Sequence, residues 1–98
     1  MFKVEIHPLV FKEDFKKIDH PQQQKIIKAM RKKLTLDPER YGKRLSGELS
    51  EYWRLRVGDY RVIYRIKKNI VTVTVIKVGI RRDFEVYNAL INRLRKVL

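Results

Sequence analysis

The chain contains no cysteine, which excludes a disulfide framework, a thiol nucleophile and a thiolate metal site. Histidine is nearly as scarce. His7 and His20 are the only two, each beside a proline at an expected helix boundary, where capping or surface placement is the ordinary role. A histidine pair for acid–base cleavage of RNA is therefore set aside. No HExxH, CxxC, GxGxxG or P-loop pattern occurs, so neither a metal nor a cofactor is expected. The 11 acidic residues are scattered, and no cluster resembles a two-metal nuclease site. No apolar run approaches membrane-spanning length, and Met1-Phe2-Lys3-Val4-Glu5 lacks the apolar core of a signal peptide. A cytoplasmic protein without a membrane partner is the expectation.

Positive charge is what the chain has in excess. Its 98 residues suit one domain, 1–98, with a single modest core. Twenty-four Lys and Arg residues against 11 Asp and Glu give a net charge of +13. Nucleic acid is the leading partner for such a chain, with an anionic membrane surface or an acidic protein behind it.

Periodicity predicts the elements. Phe2, Val4 and Ile6 alternate with Lys3 and Glu5 as a short strand, which His7-Pro8 stops. Phe11, Phe15 and Ile18 give a first helix its apolar stripe, and Ile26, Ile27, Met30 and Leu34 mark the buried side of a second. Pro21 can open that second helix, and Asp37-Pro38 closes the pair. The stretch from Glu39 to Glu51 reads as polar loop. Two strands follow, Tyr52 to Val57 and Tyr60 onward, joined by a Gly58-Asp59 turn. Lys68-Asn69 reads as a second tight turn. The run Ile70 to Val78, β-branched on both faces, predicts a central or well-covered strand. Asp83 is placed to cap a last helix with the stripe Tyr87, Leu90, Ile91, Leu94 and Leu98. The order is β-α-α-β-β-β-α. It is an α+β fold with a mainly antiparallel sheet, two N-terminal helices on one face and a C-terminal helix.

The first hairpin carries the chemistry. A period of two sets Trp53, Leu55 and Val57 on one face and Tyr52, Arg54 and Arg56 on the other. Beyond the turn, Arg61 and Arg65 share the second face with Ile63 and Lys67. Like charges repel across strands, so such a column suggests a surface waiting for an anion. Arg81 and Arg82 follow Gly79, and Tyr87 comes next on the last helix. Arginine forks grip phosphate at two points and favour a transition state whose charge grows on phosphoryl oxygens. Tyrosine adds a stacking face and a hydroxyl able to move a proton. Non-catalytic RNA binding explains these residues equally well. Pattern alone also permits an ion-paired Arg61 and a core Tyr87.

The sequence resembles the RelE/ParE toxin superfamily, and within it the RelE-like mRNA interferases. The resemblance rests on Lys43-Arg44-Leu45-Ser46-Gly47, Tyr52-Trp53-Arg54-Leu55-Arg56, Gly58-Asp59-Tyr60-Arg61-Val62-Ile63-Tyr64 and the stretch from Val78 to Tyr87. It implies a RelE-like microbial RNase fold. It also implies the toxin of a type II toxin–antitoxin system, a metal-independent endoribonuclease that cuts mRNA in the A site of the 70S-type ribosome. The 2′-hydroxyl would attack the adjacent phosphate and leave a 2′,3′-cyclic phosphate. Carried over, Arg61 would stabilise the phosphate and Arg81 the developing charge. Tyr87 would stack on or orient the nucleotide and accept the 2′-hydroxyl proton. RelE-type enzymes commonly carry lysines where this chain has Tyr52 and Arg54. An arginine cannot act as a base, so Tyr87 or Tyr52 is the expected base, its ionisation favoured by surrounding arginines. Lys43, Arg44, Arg56, Arg65 and Arg82 would hold RNA or the ribosome. A cognate RelB-like antitoxin is the implied protein partner. The competing readings are a ParE-like gyrase inhibitor and a non-catalytic RNA- or partner-binding domain.

Overall fold

The computed structural model describes residues 1–80 and 85–97. One five-stranded sheet in the order β1-β5-β4-β3-β2 spans the molecule. Its strands are β1 (Lys3–Ile6), β2 (Lys43–Arg44), β3 (Tyr52–Val57), β4 (Tyr60–Lys67) and β5 (Thr72–Ile80). The β2-β3, β3-β4 and β4-β5 pairs are antiparallel, whereas β1 runs parallel to β5, with Lys3 opposite Thr72 and Ile6 opposite Val75. The expected mainly antiparallel α+β architecture is present. Among the described residues no helix is long and apolar enough to cross a membrane.

The first helical stretch is irregular. A π turn over Val10–Asp14 runs into a 3₁₀ turn over Phe15–Lys17. Val10, Asp14, Phe15 and Ile18 are buried, but Phe11, expected in the stripe, is half exposed and meets Phe15 edge-on. In the wide turn the Phe15 amide reaches back to the Val10 carbonyl, so Val10 and Asp14 face inward instead of Phe11. Helix α1 (His20–Ala29) has Pro21 in its first turn and passes into a second π turn over Met30–Leu34. Ile26, Met30 and Leu34 are fully buried, and Ile27 is half-buried.

The stretch expected to be loop holds more structure. Asp37 accepts from the Arg40 amide at 3.2 Å, capping a four-residue helix α2 (Pro38–Tyr41), and β2 follows at once. Lys68-Asn69 lies in a 3₁₀ turn over Lys68–Ile70, which Val71 closes in the left-handed region at φ 49°.

The sheet is covered on both faces. Val10, Phe15, Ile18, Ile26, Met30 and Leu34 pack against Leu55, Val62, Tyr64, Val73, Val75 and Val78 to form the main core. Across the sheet, Tyr52, Ile63, Ile76 and Leu90 form a second, smaller cluster beneath α3 (Glu85–Val97), with Leu45, Leu49, Tyr87 and Leu94 at its margin. The face expected to carry arginines opposite a single core thus holds a core of its own. A β-bulge makes this possible. Ile63 pairs with Lys77 and Tyr64 with Val75, so Ile76 falls between pairs and turns toward α3 while Val75 and Val78 both face the main core. The covered-strand expectation for β5 is met, with Val73, Val75, Ile76 and Val78 all buried. The expected Asp83 cap, together with Leu98, Arg81 and Arg82, lies outside the described residues.

Candidate active site

The site forms where α3 crosses the β3-β4 hairpin. In the β3-β4 register Arg56 stands opposite Arg61, Arg54 opposite Ile63 and Tyr52 opposite Arg65. β2 then brings Lys43 opposite Arg54. Directly opposed residues share a face, so the ladder sets Lys43, Arg54, Arg56 and Arg61 on the side that α3 covers. Gly79 pairs with Arg61 on its other flank. Gly79 therefore places no side chain directly opposite Arg61 on that flank.

Arg61 is the pivot. Only 9% exposed, it donates from Nη1 to the Tyr87 hydroxyl at 2.8 Å, and its guanidinium lies 5.4 Å from the Tyr87 ring centre. Arg54 Nη1 approaches the same hydroxyl at 3.4 Å. Arg61 Nε is buried and meets no acceptor among the described residues. Neither Arg54 nor Arg61 is ion-paired to a carboxylate among the described residues. Two cations facing one phenol oxygen, with a buried N–H to spare, are poorly compensated, and an oxyanion would relieve them. Beside them opens a cleft of about 350 Å³ lined by Lys43, Arg44, Leu45, Ser46, Arg54 and Tyr87.

Tyr52 does not meet the expectation that arginines favour its ionisation. Burial is the largest influence and raises its pKa; Arg65 opposes this and Glu51 adds to it. It belongs to the second core, together with Ile63 and Leu90. Arg65 lies apart from Tyr87, 3.8 Å from Glu51, in a separate cleft of about 500 Å³ that also includes Trp53 and Lys68. Arg44 borders both clefts, and its Nε donates to the Ser50 carbonyl at 2.6 Å. Arg56 is exposed on β3. The structure therefore gathers Lys43, Arg44, Arg54, Arg61 and Tyr87, and leaves Arg65 outside that group. Among the described residues no three His, Asp or Glu side chains converge as a metal set would require.

Sequence reasoning missed Asp14 and Arg93, which join the first helical stretch to α3. Asp14 accepts from Arg93 Nη1 at 2.7 Å and Nη2 at 2.9 Å, from Lys77 at 2.7 Å and from the Val78 amide at 2.9 Å. The available signal was an arginine flanked by Leu90 and Leu94 on an apolar stripe. A charge at such a place requires a buried partner.

Comparison with known proteins agrees with this architecture. The RelBE2 toxin–antitoxin complex of Mycobacterium tuberculosis is similar, at 28% identity and a TM-score of 0.70, over 82% of this chain and 98% of that one. The archaeal RelE–RelB complex of Pyrococcus horikoshii matches at 25% identity and a TM-score of 0.63, over 84% and 97%. The isolated RelE toxin of E. coli, at 19% identity, shares the fold with a TM-score of 0.67 over 96% and 99%. The fold is that of the RelE-like toxins. The family model for the ParE toxin of the type II toxin–antitoxin system parDE matches residues 4–83. The chain belongs to that family, within the RelE/ParE toxin superfamily. No curated protein sequence matches it.

Proposed function

We propose that this toxin is a ribosome-dependent endoribonuclease that cuts mRNA in the A site. The observation that carries the reading is the convergence of Arg54 and Arg61 on the Tyr87 hydroxyl, with no carboxylate paired to either among the described residues. In the proposed reaction the 2′-oxygen forms a bond to the adjacent phosphorus and the P–O5′ bond breaks, giving a 2′,3′-cyclic phosphate and a 5′-hydroxyl. Arg61 binds a non-bridging oxygen, where charge grows in the transition state. The Tyr87 hydroxyl takes up the 2′ proton while releasing its own toward water. Arg81 offsets the negative charge on the leaving 5′-oxygen, which takes its proton from water. Burial disfavours Tyr52 as the base, which leaves Tyr87 in that role. Lys43 and Arg44, at the mouth of the cleft, hold ribosomal RNA through phosphates. Arg56, Arg65 and Arg82 extend that basic surface.

The M. tuberculosis and P. horikoshii relatives are toxin–antitoxin complexes. They support a cognate RelB-like antitoxin as the protein partner here.

One observation favours a second reading, inhibition of gyrase without nuclease chemistry. The matching family model is that of the ParE toxin, and the match ends at residue 83, short of Tyr87. Induced expression followed by primer extension on several mRNAs separates the two. Cuts within translated codons that vanish in Arg61→Ala support the nuclease; intact mRNA with altered plasmid supercoiling supports gyrase inhibition.

A further inference from the structure

Arg93 is the most deeply held cation described in the protein. Its side chain is 4% exposed and that of its partner Asp14 is 1% exposed. Both guanidinium Nη atoms bind the Asp14 carboxylate; Nη1 also reaches the Ile76 carbonyl at 3.2 Å and Nη2 the Glu13 carboxylate at 3.0 Å. Burial works against the Arg93 charge, but these contacts with Asp14 and Glu13 outweigh it and raise its pKa. Asp14 is itself anchored. The β1-β5 pairing ends at Ile6 opposite Val75, and Asp14 then serves as strand partner by accepting from the Val78 amide. Lys77 completes its coordination. The fork therefore locks α3 to the sheet edge through a group that cannot move freely.

Tyr87 stands on the same helix, less than two turns before Arg93 and about 120° around it. The two residues leave α3 on different sides, with Leu90 between them in the second core. Apolar packing at Leu90 tolerates small rotations of the helix, because dispersion contacts are non-directional. A two-point guanidinium–carboxylate fork does not. A rotation of roughly 10° moves a hydroxyl about 8 Å from the axis by roughly 1.4 Å. That is enough to break the 2.8 Å contact between Arg61 and Tyr87.

We propose that Asp14 and Arg93 are positioning residues for Tyr87: the buried fork sets the rotation of α3 and thereby holds the Tyr87 hydroxyl against Arg61. The proposal rests on the reading that Tyr87 acts at the site. Arg93→Lys keeps the charge that Asp14 needs but removes the fork. Asp14→Asn keeps an acceptor for the Val78 amide and removes the charge.

The test uses the full chain with 3-fluorotyrosine placed at Tyr87, read by ¹⁹F NMR alongside cleavage on programmed ribosomes. At least one variant is expected to stay folded, with a melting temperature within roughly 10 °C of the parent. In it the saturating cleavage rate falls roughly 10–100-fold, the ribosome concentration at half-saturation stays unchanged, and the ¹⁹F resonance moves toward its position in Arg61→Ala. An unmoved resonance with parental rate in a folded variant overturns the proposal. Loss of folding in both variants also overturns it, since the pair would then serve folding alone. If the parent does not cleave, the nuclease reading fails separately, and the resonance alone decides whether the fork positions Tyr87.

Discussion

Arg61 on β4 and Tyr87 on α3 meet in a 2.8 Å hydrogen bond, with the arginine also facing the tyrosine ring. The contact joins the hairpin to the final helix, at a place where Arg54 and Arg61 converge with no carboxylate paired to either among the described residues. A lysine at position 61 keeps the charge but cannot present a planar fork to both a phosphate and the phenol. Arg61→Lys is expected to lower single-turnover cleavage on programmed ribosomes by roughly 100-fold, in line with losing one charge-stabilising donor, with the fold retained by circular dichroism.

The basic cleft mouth predicts a salt signature. Lys43 and Arg44 are both exposed. Each of Lys43→Ala and Arg44→Ala should weaken binding to structured RNA and reduce the slope of log affinity against log salt by about 0.9 if it neutralises one duplex phosphate. Titrations at several salt concentrations measure it, and an unchanged slope would remove that residue from the interface.

Gly42 is required by a close approach. A Cβ there would collide with the Tyr64 hydroxyl and lie 2.9 Å from the Arg54 carbonyl. Backbone is the less forgiving neighbour, and Gly42 directly precedes the β2 residues that line the cleft. Gly42→Ala should destabilise by about 1–3 kcal/mol in urea denaturation and reduce RNA affinity along with it.

Tyr64 gives a pH-dependent prediction. Its buried hydroxyl donates to the Pro38 carbonyl at 2.6 Å, and burial raises its pKa well above the ordinary tyrosine value. With the folded-state pKa raised, the folded state keeps a proton that the unfolded chain loses above about pH 10. The stability contribution is therefore complete below that pH and falls as pH rises beyond it; Tyr52 adds to the same limb. Tyr64→Phe should cost about 1–3 kcal/mol at neutral pH, by leaving the Pro38 carbonyl unpaired. It should also make the alkaline loss shallower than in the parent. Chemical denaturation at pH 7 and above pH 10 checks both parts.

Much of the fold was legible because its strands are dictated by strong local patterns. The Gly58-Asp59 turn and the β-branched β5 needed no tertiary information. The two-sided core did need it. Alternation along β5 fails at the bulge, where Ile76 leaves the pattern to meet Leu90. Phe11 misled for a similar reason, because a π turn breaks the 3.6-residue spacing on which the stripe was drawn. At the site, the arginine face followed from period two, but the convergence on Tyr87 depends on how α3 crosses the sheet. Asp14 and Arg93 lie 79 positions apart, and no local pattern pairs residues at that separation. Tyr52 illustrates the remaining limit. Glu51 precedes it and Arg54 follows two positions on, yet burial is the largest influence on its pKa.

The most direct test of the nuclease reading is cleavage by the purified toxin of mRNA on programmed ribosomes, with the 3′ end of the product analysed chemically. The expected result is a cut within the A-site codon, ending in a 2′,3′-cyclic phosphate and greatly slowed in Tyr87→Phe. Intact mRNA, or equal cleavage by the parent and Tyr87→Phe, would contradict the account.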